Sequence, residues 1–552
     1  MSFRLALCCF ILFCNLFLIE SSLPEVALVQ GIVRGLYTKT FKNRQIASFE
    51  SIPYAEPPVG NYRFKEPIPA GPWLGVYNAT TEPPACLQLD FFQTKSIIGS
   101  EDCLYINVYT PQLPDKKIED KQTKLLDVLA FIHGGAFMIG KSGYHGPSIL
   151  LERDIVLVTF NYRLGPLGFL STEDSVVPGN NALKDQVLAL QWIQKNIAAF
   201  GGNPNSVTLA GQSAGGGSCH YHVLSPLSKG LFHKAICMSG VALNPWAVAD
   251  NLKEKTMIIA TDLGCPTNNS LIMIECLRNR PAEHIVSIIN KFVYWGDMYP
   301  LMFFGPVIEQ PSATAFISDS PVNIIKDKKG SDVPLIFSFT HDEGLAAAGA
   351  ILTKPGLFED MLSRWDELIP LILDYNYSAP SDKKSEITNK IKEKYEIDDT
   401  PEGHKIFIKL IGDRLFESGI SKTSKLSASA YTSPIYIYRF SYRGKHSTTE
   451  LLDIKEDLGV CHGDDVFYTL GFLNFNFVET EPDSEMSKQM LDVFVSFLRN
   501  GSLGENWEPV NQHLPKIVFT DIKDHKNFQL TTVDELGEES FWDSLGLKEN
   551  LQ

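Results

Sequence analysis

The chain has 552 residues, a formal net charge of −16 at pH 7 and a sequence pI near 5.3. This excess of acid argues against a nucleic-acid partner, because a polyanion would be repelled over most of the surface. The length allows one large α/β domain, and no internal repeat, low-complexity block or Pro/Ser-rich linker divides the sequence. We therefore predict one continuous core.

The first predicted element is a signal peptide over residues 1–22. Arg4 precedes an apolar run over residues 5–19, and small residues follow at Ser21 and Ser22. This run is shorter than the roughly 20 apolar residues that a membrane span needs, and its flanks fit an export signal. No later stretch is long and apolar enough to span a bilayer. We expect residues 23–552 to form a secreted, extracellular protein.

Export changes the interpretation of the ten cysteines. Three of them leave with the signal peptide, and an oxidising compartment favours pairing among the other seven. Pairs Cys86 with Cys103 and Cys265 with Cys276 would close two short loops, which leaves three buried thiols at Cys219, Cys237 and Cys461. The sequons predict surface glycosylation at Asn78, Asn268, Asn376 and Asn500.

Six apolar runs of strand length are each followed by a glycine turn or a helical pattern. They cover residues 128–132, 155–160, 207–210, 235–238, 335–339 and 435–440. One helix stands out between them, since Leu183, Val187, Leu190, Ile193 and Ile197 recur at spacings of three and four, and Gly201 and Gly202 can end it. The order predicts a largely parallel sheet covered by helices.

A reactive serine is predicted directly after the third of these strands, in Gly211-Gln212-Ser213-Ala214-Gly215. Glycines flank a serine in this way where a strand turns sharply into a helix and raises the hydroxyl into a cleft. The alternative is a glycine-rich surface loop. Under the first interpretation Ser213 is a nucleophile.

A serine nucleophile needs donors for the charge on the carbonyl oxygen, a base and an acid that orients the base. His133-Gly134-Gly135-Ala136 follows the first strand, so the N–H groups of Gly134, Gly135 and Ala214 could form an oxyanion hole. We select His462 as the base, in the glycine-flanked loop 459–465. Asp342 and Glu343 follow the fifth strand, and spacing does not choose between them as the acid.

These motifs resemble those of type-B carboxylesterases of the α/β-hydrolase fold, over nearly the whole chain from about residue 26. The residues that carry the resemblance are Ser51-Ile52-Pro53-Tyr54-Ala55, Pro57-Pro58-Val59-Gly60, Arg63-Phe64, the segment 101–108, His133-Gly134-Gly135, the segment 161–165, Asp185-Gln186, the serine turn and the segment 459–465. The resemblance implies a single α/β-hydrolase domain over residues 23–552, with a large, mostly parallel sheet.

The family pattern also assigns individual residues. It implies Glu343 as the acid, Ser213 and His462 as its partners, and the three N–H donors already proposed. It places disulfides at Cys86–Cys103 and Cys265–Cys276, and ion pairs at Arg63–Glu101 and Arg163–Asp185.

Within the family the pattern is most similar to secreted insect carboxylesterases, some of which hydrolyse or sequester insecticidal esters. The resemblance implies a small-molecule partner, a small lipophilic or xenobiotic ester. Gln212 stands where Glu is common in the family and is typical of juvenile hormone esterases, which is the alternative. A cholinesterase fits less well, because the loop between Cys86 and Cys103 holds no Trp for a quaternary ammonium.

Other classes of function stay open. Catalytically dead adhesion proteins of this fold typically lose the serine or the histidine, and both are present here. A stoichiometric ester or organophosphate binder with slow deacylation would keep both residues. His220 and His222 form a His-x-His without a clear third ligand, so we expect helix packing, no metal and no cofactor.

Substrate preference depends on the lining of a pocket. The aromatic or apolar candidates are Trp246, Phe292, Trp295, Met302, Phe303, Phe304, Phe472 and Phe475. Phe303 and Phe304 are the strongest, because they precede Gly305-Pro306-Val307, a segment that often borders the acyl site in the family.

Overall fold

The computed structural model describes residues 23–90, 95–114, 124–296, 299–300, 302–472, 478, 480–504, 507–511 and 516–547. The predicted signal peptide and the pocket candidate Phe475 lie outside these residues.

The described strands form one large sheet of 11 strands with a 3-stranded and a 2-stranded sheet beside it. In chain order the strands are β1 (Glu25–Ala27), β2 (Ile32–Arg34), β3 (Leu36–Lys39), β4 (Gln45–Pro53), β5 (Val76–Asn78), β6 (Gln88–Leu89), β7 (Ile97–Ile98), β8 (Tyr105–Thr110), β9 (Leu126–Ile132), β10 (Ile155–Phe160), β11 (Gly202–Gln212), β12 (Lys234–Met238), β13 (Leu335–Thr340), β14 (Ile435–Phe440), β15 (Ile517–Asp524) and β16 (Asn527–Val533).

The large sheet has the order β16-β15-β14-β13-β12-β11-β9-β10-β8-β4-β3. Neighbours from β15 to β10 run parallel, and the pairs at both edges run antiparallel. The six predicted strands are β9 to β14, so the α/β fold with a largely parallel sheet is confirmed. Their near-continuous burial follows from helices that cover both faces of a parallel sheet.

The described α-helices surround this sheet. They are α1 (Gly165–Phe169), α2 (Asn181–Asn196), α3 (Ala214–Leu224), α4 (Leu252–Asp262), α5 (Ser270–Arg278), α6 (Ala282–Ser287), α7 (Pro321–Lys326), α8 (Leu345–Thr353), α9 (Leu357–Ser363), α10 (Trp365–Ile372), α11 (Lys384–Tyr395), α12 (Pro401–Gly412), α13 (Ser418–Ala430), α14 (Glu481–Asn500) and α15 (Glu539–Ser544). The predicted helix is α2, which a short 3₁₀ turn extends to Phe200 before Gly201 takes a φ of +83°. The predicted stop at Gly201 is thus confirmed.

Ion pairs and disulfides tie the loops around the sheet. Arg163 and Asp185 form a bidentate pair with N–O distances of 2.6 and 2.8 Å, and both side chains are buried. Arg63 and Glu101 form a second pair, with distances of 2.6 Å. The disulfides Cys86–Cys103 and Cys265–Cys276 are both formed, and Cys219, Cys237 and Cys461 are buried free thiols. All of these sequence predictions are confirmed.

Candidate active site

Ser213 stands between the end of β11 and the start of α3, on a strained turn. Its backbone has φ +59° and ψ −123°, a conformation that is costly for a residue with a side chain. The turn is so tight that a Cβ at Gly211 would lie 2.2 Å from the carbonyl oxygen of Gly215. This geometry is that of a serine raised above the carboxyl end of a sheet, as the flanking glycines predict.

His462 lies at the same end of the sheet, in the loop that precedes a 3₁₀ turn over Asp464–Tyr468. The loop is pinned by Asp464, whose carboxylate accepts hydrogen bonds from the backbone N–H of Cys461 at 2.9 Å and of Thr448 at 2.7 Å. The ring centroid of Phe416 lies 4.7 Å from that of the imidazole. Packing on one side and backbone bonds on the other therefore hold the ring.

Glu343 and Asp342 occupy different positions. Nδ1 of His462 is 2.6 Å from Oε2 of the buried Glu343. Asp342 instead accepts a hydrogen bond from the backbone N–H of Val460 at 2.9 Å. The structure therefore brings Glu343 to the imidazole and Asp342 to the backbone of the histidine loop.

Two donors hold the other oxygen of Glu343. Oε1 accepts from the Ser239 hydroxyl at 2.5 Å and from the backbone N–H of Thr340 at 2.7 Å. Sequence reasoning missed Ser239, although it directly follows β12 and so lies at the same sheet edge as the other site residues. The carboxylate orientation is thus fixed by groups from two neighbouring strand ends.

The free nitrogen of the imidazole contacts Gln212. Nε2 of His462 and Nε2 of Gln212 are 2.9 Å apart. Within the described residues, Ser213 Oγ makes no hydrogen bond to His462. Both side chains line the same cavity, and catalytic hydrogen bonds are often long or unformed in a free enzyme.

The glycine loop after β9 faces the serine. In the described part of the chain, the backbone N–H groups of Gly134, Gly135 and Ala214 donate to no protein acceptor. A Cβ on Gly134 would lie 3.0 Å from Ser213 Cβ, so the loop approaches the serine closely. Three unpaired donors next to a serine can bind a developing negative charge.

Gln88 fixes the far end of this glycine loop. Its Nε2 donates to the carbonyl oxygen of Gly140 at 2.9 Å, and its Oε1 accepts from the N–H of Gly140 at 2.8 Å. Gln88 lies two residues after Cys86, so the Cys86–Cys103 disulfide restrains the backbone that carries these two hydrogen bonds.

Ser213 and His462 open into a cavity of about 290 Å³. Among the predicted lining residues, Trp246, Met302, Phe303 and Phe472 line it. The prediction for Phe304 is wrong, because that ring is fully buried and packs on Phe292 with centroids 5.9 Å apart.

Two further candidates for the lining lie elsewhere. Phe292 borders a smaller cavity of about 70 Å³, whose wall shares Met302 and Phe303 with the large one. Trp295 packs against Tyr299 with centroids 5.8 Å apart. Neither ring lines the large cavity, so both predictions are wrong.

Phe416 belongs to a π-helical turn, Asp413–Glu417, between α12 and α13. The carbonyl oxygens of Leu415 and Phe416 accept from Trp246 Nε1 at 2.7 Å and Asn244 Nδ2 at 2.8 Å. Such turns are frequent at functional sites, and this one delivers two cavity-lining side chains.

His220 and His222 pack inside the core. The nitrogens of His222 contact Ser228 Oγ at 2.6 Å and Gln186 Oε1 at 2.8 Å, and His220 Nδ1 accepts from the N–H of Ala242 at 3.0 Å. Burial lowers the pKa of each imidazole to about 3. A search of the described residues finds no group of His, Cys, Asp and Glu that could hold a metal ion. Nor is any described helix both long enough and apolar enough for a bilayer span.

Asp465 is a buried carboxyl beside the imidazole. Its Oδ2 accepts from the Tyr438 hydroxyl at 2.9 Å and from the Ser338 hydroxyl at 3.3 Å, whereas Oδ1 has no partner. Burial is the largest cause that raises the pKa of Asp465 to about 7.

This shift predicts a pH dependence of stability. Between pH 3.8 and about 7 the unfolded chain releases the Asp465 proton and the native chain keeps it, so the free energy of unfolding falls as pH rises. The slope from this group is at most about 1.4 kcal/mol per pH unit and vanishes above pH 7. We expect Asp465→Asn to flatten the fall in Tm between pH 5 and 7.

Thermal unfolding of both proteins across this pH range checks the prediction. Asp534→Asn is the control, since the Asp534 side chain is 88% exposed. A constant difference in Tm between wild type and Asp465→Asn from pH 5 to 7 would contradict it.

Comparison with known proteins agrees with this site. Residues 22–536 match the carboxylesterase family. The chain is 42% identical to esterase FE4 of Myzus persicae, covering 94% of this chain and 92% of that protein, and 39% identical to venom carboxylesterase-6 of Apis mellifera, covering 96% of each.

Juvenile hormone esterases are also similar. The one from Tribolium castaneum is 35% identical over 96% of this chain and 92% of its own length. A crystal structure of juvenile hormone esterase from Manduca sexta, with OTFP covalently attached, superposes with a TM-score of 0.81 at 30% identity and covers 94% of this chain and 99% of that one. The chain therefore belongs to the carboxylesterase family and is a serine hydrolase of carboxylic esters.

Proposed function

We propose that the protein is a secreted carboxylesterase that cleaves small lipophilic or xenobiotic esters through an acyl-enzyme on Ser213. His462 is the general base and acid, and Glu343 orients it. The observation that carries the proposal is the Glu343–His462 contact of 2.6 Å beside a serine on a strained turn at the cavity floor.

The reaction has two steps of similar chemistry. His462 takes the proton of Ser213 Oγ while the oxygen attacks the ester carbonyl carbon, and the N–H groups of Gly134, Gly135 and Ala214 receive the charge on the carbonyl oxygen. The intermediate collapses, the C–O bond to the alcohol breaks, and His462 gives its proton to the departing alcohol. His462 then takes a proton from a water whose oxygen attacks the acyl carbon. The bond from that carbon to Ser213 Oγ breaks, and His462 returns the proton to Oγ as the acid leaves.

The oxyanion donors can be tested at Gly135. Its φ is +113°, and a Cβ at this residue would lie 2.1 Å from the carbonyl oxygen of Ile139, so alanine must displace this backbone. We expect Gly135→Ala to lower kcat by about 100- to 1000-fold, the usual effect of losing one such donor. Steady-state kinetics at matched folded fraction measure it.

Gly146→Ala is the matched control, because a Cβ there meets no atom within 4 Å. If Gly135→Ala keeps both its Tm and its kcat, the N–H groups of this loop are not oxyanion donors.

The cavity supports the proposed substrate class. Its volume of about 290 Å³ and its aromatic and aliphatic walls suit an uncharged, lipophilic ester. Gln212, together with the similarity to two juvenile hormone esterases, favours juvenile hormone as the alternative substrate. All other features of the site are compatible with both.

Hydrolysis of a short-chain naphthyl ester and of juvenile hormone should be compared on the purified protein. We expect the naphthyl ester to have the higher kcat/KM by at least about tenfold, within the discrimination that an apolar pocket reaches. A higher kcat/KM for juvenile hormone would contradict this expectation and support the alternative, a juvenile hormone esterase.

The alternative of another class is a stoichiometric binder of esters or organophosphates with slow deacylation. Pre-steady-state kinetics separate the two, because a binder releases one equivalent of alcohol in a burst and then stops. We expect continued turnover.

We further propose that residues 1–22 are removed on export and that residues 23–552 are one domain. The two disulfides support an oxidising compartment. Asn78, Asn268 and Asn500 are exposed and are proposed to carry glycans. Asn376 is half-buried and its side-chain oxygen accepts from Lys384 Nζ at 2.9 Å, so this sequon is the least accessible of the four.

A further inference from the structure

We propose that Gln212 is a positioning residue whose amide holds Nε2 of His462 in the free enzyme and releases it to Ser213 Oγ when substrate binds. This inference rests on the proposed function. Its basis is the 2.9 Å contact between Nε2 of Gln212 and Nε2 of His462, the nitrogen that must take the serine proton.

The direction of this hydrogen bond follows from the other ring nitrogen. Nδ1 faces the Glu343 carboxylate at 2.6 Å, and a carboxylate only accepts, so Nδ1 carries the hydrogen. The neutral ring then has a lone pair at Nε2, and the amide N–H of Gln212 donates to it. This contact keeps His462 in the tautomer of a base.

A carboxamide can serve both states of the ring, because it has a donor and an acceptor on one rotatable group. When Nε2 carries a proton, the amide can turn and accept it through Oε1. A glutamate at this position would only accept, and would therefore hold a protonated imidazole in the free enzyme. Gln and Glu at position 212 are thus equal in size, but Gln accommodates an unprotonated Nε2 whereas Glu favours a protonated one.

Two glycine loops approach the Gln212 side chain closely. A Cβ at Gly134 would lie 2.6 Å from Gln212 Oε1, and one at Gly463 would lie 3.2 Å from Gln212 Nε2. The amide therefore bridges the proposed oxyanion loop and the histidine loop. Its half-buried position leaves room for the exchange from Gln212 to Ser213.

The described charged groups around His462 and Glu343 include several carboxyls, with His341 beside Asp342. Glu343 contacts the ring from the end of β13, Asp464 and Asp465 lie on the following 3₁₀ turn, and Glu417 lies on the π-helical turn. Asp342 approaches from the same strand end as Glu343. These groups are unchanged in a Gln212 variant, so a difference between variants reports the contact at Nε2.

The test compares Gln212→Glu with Gln212→Met, two side chains of similar length. The quantity to compare is the ratio of kcat/KM at pH 6 to kcat/KM at pH 8.5 for a p-nitrophenyl ester. We expect this ratio to be at least about tenfold lower in Gln212→Glu than in wild type, because the glutamate should shift ring protonation by one pH unit or more. Gln212→Met should change the rate by the same factor at both pH values. A Gln212→Glu protein with the wild-type ratio would overturn the proposal.

A crystal structure of the free wild-type enzyme provides a test without any variant. We expect Gln212 within hydrogen-bond distance of Nε2 of His462, and a free enzyme with Ser213 Oγ on Nε2 and Gln212 elsewhere would refute the proposal. Failure of the underlying function looks different, because wild type itself would then neither hydrolyse the ester nor be labelled by a fluorophosphonate.

Discussion

Replacing Ser213 with alanine is expected to lower kcat/KM for a p-nitrophenyl ester by about 10⁵- to 10⁶-fold, as loss of the nucleophile does in other serine hydrolases. Oγ is the atom proposed to form the acyl bond, and no other hydroxyl stands on the strained turn between β11 and α3 in the described chain. The residual rate would come from the proposed oxyanion donors and the cavity, which remain in place.

The same variant should also lose labelling by a fluorophosphonate probe. Ser429→Ala is the matched control, because Ser429 is exposed on α13 and its hydroxyl bonds the carbonyl oxygen of Lys425 at 2.9 Å. Retention of labelling and turnover in a folded Ser213→Ala protein would refute the assignment of the nucleophile.

The second large effect is expected at Glu343. Its Oε1 accepts from Ser239 and from the Thr340 N–H, so in Glu343→Gln the amide oxygen stays with these two donors. The new NH₂ then faces Nδ1 of His462, which must accept, and the ring hydrogen moves to Nε2. This is the wrong tautomer for a base, and we expect kcat to fall by about 10³- to 10⁴-fold.

Asp342→Asn is the internal control for Glu343→Gln. The asparagine oxygen can still accept from the Val460 N–H, and the half-exposed pair with His341 is worth at most about 1 kcal/mol, so we expect less than about a tenfold change. Steady-state kinetics of both variants at equal folded fraction decide the matter. A severe loss in Asp342→Asn with a mild one in Glu343→Gln would transfer the orienting role to Asp342.

The centre of the sheet could be predicted because strands β9 to β14 are buried on both faces and therefore appear as continuous apolar runs. The outer strands carry a weaker signal. β16 has no buried residue, and its sequence does not separate it from an exposed loop. Antiparallel edges thus depend on pairing with a neighbour more than on their own hydrophobicity.

The candidate site divides in a similar way. Motifs pointed to Ser213 and the glycine loop, because backbone geometry at a sharp turn restricts the residue type. His462 was selected from its glycine-flanked loop, and only the family resemblance preferred Glu343 to Asp342. A contact that depends on a side-chain rotamer does not restrict the residue type in this way, so no motif reports it. The approach of Gln212 to His462 and of Ser239 to Glu343 is therefore visible only in three dimensions.

The π-helical turn Asp413–Glu417 was also beyond prediction. Its carbonyl oxygens at Leu415 and Phe416 bond Trp246 and Asn244, which are about 170 residues away in sequence. The prediction that Phe304 lines the cavity was wrong for a related reason. Adjacent rings point in different directions, and only Phe303 reaches the cavity.

The hydrogen bonds between Gln88 and Gly140 would link disulfide formation to the order of the proposed oxyanion loop. The Cys86–Cys103 cross-link that anchors them forms only where thiols are oxidised. Protein made in a reducing bacterial cytosol would lack this disulfide, and its glycine loop would keep only its hydrogen bonds and packing. We accordingly expect recombinant production through an oxidising export route to give the more active protein.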